Sequence, residues 1–115
     1  MNNFVTVNGI IATSPRYIVT AEGTPFTSFR LAVSSDDGGD SNWYTFLAKG
    51  KLATNVANSV AKHDRIIVTG ALVVRDWEND DRAGTYVEIV AEYVGHDLNW
   101  GTSKFVRNRL SLDKS

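Results

Sequence analysis

The sequence predicts an all-β protein, a five-stranded barrel with one α-helix between the third and fourth strands. Residues that favour strands, namely Val, Ile, Thr, Phe and Tyr, dominate the periodic segments. Only residues 51–62 show the period of a helix. The chain is 43% hydrophobic and 22% charged, as is usual for a globular protein. Its 115 residues suit one domain and are too few for two.

The first strand is predicted at residues 4–12, FVTVNGIIA, where Gly9 marks a bulge or bend. The connection that follows, residues 14–25, contains both prolines of the chain. We therefore expect it to be partly extended, with a turn at Glu22 and Gly23.

The second strand is predicted at residues 26–34, FTSFRLAVS. Its alternation places Phe29 and Leu31 on one face and Arg30 on the other. Residues 35–41, SDDGGDS, have the composition of a hairpin loop.

The third strand begins at residue 42 with NWYTFLAK, and its two faces differ in character. Alternation predicts one apolar face, made by Tyr44, Phe46 and Ala48. It predicts a mixed face on the other side, made by Trp43, Thr45, Leu47 and Lys49. A face that combines an indole, a hydroxyl and an ammonium is unusual for a core and suits a surface that binds a ligand.

The helix at residues 51–62 is predicted from Leu52, Val56 and Val60, which recur every four residues. The remaining elements follow in order: a long fourth strand at 65–77 with a bend at Gly70, a loop at 78–84 and a fifth strand at 85–94.

This order of five strands and one helix is that of an OB-fold barrel. OB-folds bind oligonucleotides or oligosaccharides on the face of their second and third strands. The architecture by itself does not choose between these ligands.

Composition restricts the function further. The formal net charge is −1, so any surface for nucleic acid must be local. The absence of cysteine excludes disulfides, thiolate catalysis and cysteine-ligated zinc. No stretch approaches the roughly 18 apolar residues of a membrane span, and the N-terminus MNNFVTV lacks the pattern of a signal peptide. We therefore expect a cytoplasmic protein that contacts no membrane.

Two tryptophans share a predicted strand face with a cation. Trp43 lies on the face of Lys49, and Trp77 lies on the face of Arg75. In single-strand binders such a ring stacks on an unpaired base for about 1–3 kcal/mol, while the cation contacts a phosphate. The alternative is that Trp43 caps the barrel and Trp77 packs against a neighbouring subunit.

Both histidines precede an aspartate, in KHDR at His63 and in GHDL at His96. Such pairs hold metals in some phosphohydrolases, but a third histidine and further ligand-bearing helices are missing from the pattern. The DDGGD segment lacks the spacing of a calcium-binding loop, and no GxSxG-like context supports a serine hydrolase. We expect no enzyme activity, no metal and no cofactor. A metal-dependent hydrolase that uses His63 and His96 is the alternative.

The segment NWYTFLAKGKLATNVANSVAKHDRIIVTGALVVRDW resembles the central part of bacterial single-stranded DNA-binding proteins. That family shows an aromatic strand, a gkLAenv helix start, a kGd.v.v.G.l fourth strand and a basic-x-Trp end. VTVNGIIATSPRY and FRLAVS are similar to its first two strands, and VGHDLNWGTSKFVR is similar to the tail of the short second-copy proteins of actinobacteria. The resemblance covers nearly the whole chain, residues 4–107.

The resemblance implies a homotetramer of OB-folds that binds and protects single-stranded DNA, without sequence preference, in replication, repair and recombination. It also implies a cytoplasmic, nucleoid-associated location. Two positions match the family's stacking tryptophans: Trp43 and Trp77. Three match its phosphate-contacting cations: Lys51, Lys62 and Arg75. We add four cations on the ligand-side strands or loop as further phosphate contacts: Lys49, Arg30, Arg65 and Arg82.

Three departures from the family pattern bear on affinity and partners. Lys49 stands where the family has a stacking phenylalanine. The acid-rich loops at 35–41 and 78–84 should weaken DNA binding, because they repel phosphates. The sequence given ends in LSLDKS, without the acidic tip that recruits replication and repair proteins in the family, so we expect no recruitment through such a tip.

We expect one OB-fold domain at residues 1–97, followed by a C-terminal extension at 98–115. Trp100 and Phe105 in the extension are candidates for a clasp between subunits. The predicted function is sequence-independent binding of single-stranded DNA. The alternative hypothesis is a primosome-type OB-fold scaffold that acts mainly through protein contacts, which the acidic loops favour.

Overall fold

A computed structural model describes residues 3–34 and 42–109. The predicted loop at 35–41 and the end of the chain, residues 110–115, lie outside the described residues. The elements within the described ranges are β1 (Phe4–Ile11), β2 (Arg16–Val19), β3 (Pro25–Val33), β4 (Asn42–Lys49), α1 (Lys51–Ser59), β5 (Arg65–Glu78) and β6 (Ala83–His96).

Five of these strands form a closed circuit. Neighbouring strands pair in the order β1-β5-β6-β4-β3. β3 then returns to β1, where Ile10 pairs with Ala32 and Ile11 pairs with Leu31. β4 and β6 run parallel, and the other pairs are antiparallel. In chain order the helix lies between β4 and β5, the third and fourth of these five strands. The predicted all-β class and element order are therefore confirmed.

The structure adds one strand to the five that were predicted. β2 pairs with β3 within the segment expected to be only a connection. The prediction missed it because four residues are too few to show alternation, and all four are exposed. The predicted turn at Glu22 and Gly23 is present: Gly23 has a φ of 90°, and its N–H donates to the carbonyl oxygen of Thr20 at 2.9 Å.

The helix α1 is shorter than predicted. It ends at Ser59, and Val60 is already extended, with φ −126° and ψ 156°. Val60 still packs against the core, so the apolar spacing that predicted a longer helix describes burial rather than helicity. Gly50 joins β4 to α1 with a φ of 72°, a conformation that glycine adopts without strain. No helix among the described residues is long and apolar enough to cross a membrane.

The core lies inside the circuit of strands. The rings of Phe29 and Phe46 stack at its centre with centroids 4.1 Å apart. The bend predicted at Gly70 is confirmed by a register shift between β5 and β6 at Thr69 and Gly70. Gly9 is different, because the register of β1 with β5 continues through it. Its role is to let β3 approach: a Cβ there would lie 2.5 Å from the carbonyl oxygen of Ala32.

Candidate nucleic-acid interface

The two faces of β4 differ as predicted. Phe46 and Ala48 are fully buried, whereas Trp43 is 51% exposed and Lys49 is exposed. The alternation of β4 therefore sends its large apolar ring into the barrel and its indole to the outside.

Strand register extends this outer face over four strands. Thr45 lies opposite Arg30 on β3 and opposite Glu88 on β6. Glu88 in turn lies opposite Val73 on β5. Residues that are directly opposite in neighbouring strands point to the same side of a sheet. These four residues therefore form one row across the outer face of β3, β4, β6 and β5.

The two tryptophans belong to the rows that follow. Two residues further along each strand, the next row contains Trp43, Tyr86 and Arg75. The row after it contains Trp77 on β5 and Gly84 on β6. The two tryptophans that the sequence places 34 positions apart thus lie on the same outer face.

Trp77 lies across the β5–β6 hairpin over a residue without a side chain. A Cβ on Gly84 would lie 2.8 Å from the indole, so the glycine leaves the space that the ring occupies. Trp77 remains 43% exposed in this position. The arrangement fixes one side of the indole and leaves the rest accessible to a base.

Trp43 has a cation beside it. The guanidinium carbon of Arg30 lies 5.3 Å from the centre of the Trp43 ring, within the range of a cation–π contact. Arg30 is exposed, so it can contact a phosphate while it stays near the ring.

Arg75 is held by a buried carboxylate. Its Nε donates to Oε1 of Glu88 at 3.0 Å. The Glu88 side chain is 8% exposed and that of Arg75 is 49% exposed. This bond uses one of the five N–H donors of the guanidinium, so Arg75 can hold a phosphate as well. The carboxylate orients Arg75 and reduces the positive charge of the face.

The other predicted phosphate contacts are spread over the surface. Lys49 and Lys51 are exposed on either side of Gly50, at the junction of β4 and α1. Arg82 is exposed in the β5–β6 turn, where its carbonyl oxygen accepts from the N–H of Asn79 at 2.8 Å.

Lys62 and Arg65 lie at the opposite end of β5 from Trp77. Trp77 lies twelve positions after Arg65, about 40 Å along the strand at the usual rise of 3.3 Å per residue. The structure therefore does not bring these two cations to the tryptophan face. The guanidinium of Arg65 lies instead over the ring of Trp100, with 3.8 Å from its central carbon to the ring centre.

The two His-Asp pairs converge on a groove of about 450 Å³ beside Arg65. His96 Nε2 lies 3.1 Å from the carbonyl oxygen of Ser59, which can only accept a hydrogen bond. In the neutral tautomer that donates from Nε2, Nδ1 accepts from the Ser103 hydroxyl at 2.7 Å. Asp64 is farther away, 3.9 Å from Nε2. In the part of the chain that the structure describes, no group of three or more His, Asp or Glu residues is placed to hold a metal ion. His96 thus links the segment after β6 to the end of α1.

Tyr86 and Glu88 belong to this face and were missed from the sequence. The only signal was the alternation of β6, which places both residues on the side opposite to the buried Ile89. Alternation gives the face of a residue but not its neighbours on other strands.

Comparisons with known proteins identify one family for this chain. The Single-strand binding protein family matches residues 1–97. A protein of Tropheryma whipplei, "Single-stranded DNA-binding protein 2", is 43% identical over 122 aligned positions, covering 98% of this chain and 80% of the relative.

Two solved structures are similar along most of their length. The small single-stranded DNA-binding protein of Streptomyces coelicolor has a TM-score of 0.79 and 34% identity, and the match covers 87% of this chain and 98% of that one. The second single-stranded DNA-binding protein of Mycobacterium smegmatis has a TM-score of 0.76 and 28% identity, covering 93% of this chain and all of that one.

Proposed function

The chain belongs to the single-strand binding protein family, and from this premise we propose that it binds single-stranded DNA on the outer face of β3, β4, β6 and β5. The resemblance identified in the sequence is thereby confirmed. The proteins of this family bind DNA and are not enzymes, which agrees with the prediction and removes the hydrolase alternative.

One observation carries the proposed mode of binding: Trp43 and Trp77 are half exposed on one continuous face, next to Arg30 and Arg75. Each ring offers a surface on which any base can stack, for about 1–3 kcal/mol. Each guanidinium offers N–H donors for a phosphate. Since neither contact reads the edge of a base, binding on this face is independent of sequence.

We extend the proposal to assembly and location. The protein acts in DNA replication, repair or recombination in the cytoplasm, at the nucleoid, as a homotetramer. A second apolar area on the outer face of β1, β5 and β6 supports self-association, since Phe4, Ile67 and Tyr93 are all exposed there. Association of several barrels lengthens the track that each particle offers to DNA.

Tryptophan fluorescence tests the proposed binding directly. The protein is titrated with oligo-dT over a series of salt concentrations and, separately, with duplex DNA. We expect quenching by oligo-dT that weakens as salt rises, because released counterions drive the phosphate contacts. Duplex DNA should cause no quenching, since its bases are already stacked.

Two variants assign the signal to the face. Trp77→Ala should lose much of the quenching and about 1–3 kcal/mol of affinity. Ile18→Ala, an exposed apolar residue of β2 outside the rows described above, should bind as the parent does. Absence of quenching at the lowest salt would refute the proposal and would put the primosome-type scaffold hypothesis first.

A further inference from the structure

The segment that follows β6 combines the same side-chain types as the tryptophan face. We propose that residues 98–109 are a second binding segment for single-stranded DNA. The segment would guide the DNA from the barrel along α1 to Trp100. This inference rests on the proposed function. It concerns residues outside the range 1–97 that the family matches.

Charge is distributed unequally between the two parts of the chain. Residues 1–97 contain eight Lys or Arg and twelve Asp or Glu, a net charge of −4. Residues 98–109 contain three basic residues, Lys104, Arg107 and Arg109, and no acidic residue. All twelve positions of this segment are exposed. Because neutralisation of phosphates supplies most non-specific affinity, a DNA strand gains more from this segment than from an equal length of the acidic barrel.

Two side-chain contacts place the segment along α1. Ser103 bonds to His96 at 2.7 Å, next to the end of the helix. Asn108 Oδ1 accepts from Asn55 Nδ2 at 2.7 Å, in the middle of the helix. Asn55 lies one turn from Lys51 on the same helix face. The two arginines that flank Asn108 are therefore brought close to a cation already proposed to contact DNA, and the positive surface continues from β4 onto the segment.

Trp100 gives the segment a stacking platform. The guanidinium of Arg65 lies over one face of its ring at 3.8 Å. The residue is nevertheless 64% exposed, so its other face is open to a base. A base in this position would form a stack with the indole and the guanidinium. The contact also gives Arg65 a role in DNA binding, although it lies far from Trp77.

The alternative is that the segment binds a second copy of the chain, as a clasp between subunits. The acid-rich turn at 78–82 of another subunit would complement its charge. We favour DNA because an open ring backed by a guanidinium, with cations in sequence beside it, is the combination that stacks bases and binds phosphates. A turn of carboxylates would leave the Trp100 ring without a partner.

The first test neutralises the cations of the segment in the full chain, with Lys104→Gln, Arg107→Gln and Arg109→Gln combined. All three are exposed, so the fold should be unaffected. Affinity is measured for oligo-dT of about 8 nucleotides, within the span of one OB-fold, and of about 35 nucleotides. For the long probe, log affinity against log salt should lose about 2 units of slope, about 0.7 for each cation. That corresponds to about a 100-fold loss at 0.1 M salt. The short probe should bind as it binds the parent.

The second test makes Trp100 the only indole, through Trp43→Phe and Trp77→Phe, since the chain has three tryptophans. Phenylalanine keeps a ring at both sites, and binding is followed independently by the anisotropy of labelled DNA. The long probe should quench Trp100 fluorescence, and the short probe should not. Quenching that depends on protein concentration alone would overturn the inference in favour of the clasp.

The outcomes separate this inference from the proposed function. If the parent binds neither probe, both fail together. If the parent binds the long probe and the triple variant has the same salt slope, only the second segment is refuted. If the triple variant changes the molar mass in light scattering and leaves the slope unchanged, the segment is a contact between subunits and the inference is wrong.

Discussion

Two tryptophan–arginine pairs of this protein differ in how they are held. Arg30 and Trp43 stand on β3 and β4, which pair continuously from Phe26 to Val33. Arg65 and Trp100 join β5 to a segment without helix or strand. The second pair is the closer one, at 3.8 Å against 5.3 Å, although its backbone is less supported.

The difference shows that the distance between two side chains does not indicate how rigidly their backbones hold them. The first pair keeps its geometry as long as the barrel is folded, because strand register sets it. The second depends on a few side-chain contacts, such as that of Ser103 with His96. We therefore expect substitutions in the core to affect the barrel face and substitutions at the contacts of the extension to affect only the extension.

The largest effect should come from the core below the barrel face. Phe46→Ala removes a fully buried ring that stacks on Phe29, and it should lower the free energy of unfolding by about 3–5 kcal/mol. Urea unfolding measures this change. Phe105→Ala is the matched control, because Phe105 is 84% exposed and should change stability by less than about 0.5 kcal/mol. Equal losses in the two variants would mean that the extension is as integral to the fold as the barrel.

A smaller effect is expected from the carboxylate below Arg75. Glu88→Gln removes a negative charge from the face and should cost about 1 kcal/mol of stability, since Arg75 is half exposed and can be hydrated. The full positive charge of Arg75 is then available to the phosphate that it contacts. The salt slope for oligo-dT should therefore steepen by about 0.7, with tighter binding at low salt.

Glu92→Gln is the control for this charge change, since Glu92 is exposed on the same strand. Glu92→Gln should bind oligo-dT with the same salt slope as the parent. Weaker DNA binding by Glu88→Gln would show that the carboxylate is needed to orient Arg75, and that orientation outweighs charge on this face.

The smallest effect should arise at the extension. Ser103→Ala removes the hydroxyl that is hydrogen-bonded to His96, a bond worth about 1 kcal/mol, and it should loosen the segment without lowering the unfolding midpoint of the barrel. Trypsin should then cleave faster after Lys104. Thr102→Ala, one residue earlier and also exposed, should be cleaved at the rate of the parent. Identical cleavage of the two variants would argue against the His96 contact as the anchor.

Much of the barrel face could be predicted from the sequence because it depends on local alternation. The order of strands and helix, and the opposite directions of Trp43 and Phe46, follow from a period of two. The position of Trp77 beside Gly84 does not follow, because it depends on the register of β5 with β6.

The partners of the cations were beyond sequence reasoning for the same reason. Arg75 and Glu88 are 13 positions apart and meet because their strands pair. Arg65 and Trp100 are 35 positions apart, and their contact requires the chain after β6 to turn back toward the start of β5. No local pattern encodes either contact, so the sequence identified the cations but not which surface each one serves.

The parallel pairing of β4 with β6, which extends from Thr45 to Leu47, has a consequence for the energetics of binding. It is the direct connection between two long antiparallel ladders, β3–β4 with Trp43 and β5–β6 with Trp77, which are also joined through β1. A nucleotide chain that contacts both indoles would cross this connection and would oppose separation of the two ladders. DNA binding and the stability of the barrel would then be linked, because only the closed barrel holds both indoles in place. Each nucleotide bound across the β4–β6 pairing would also stabilise the protein.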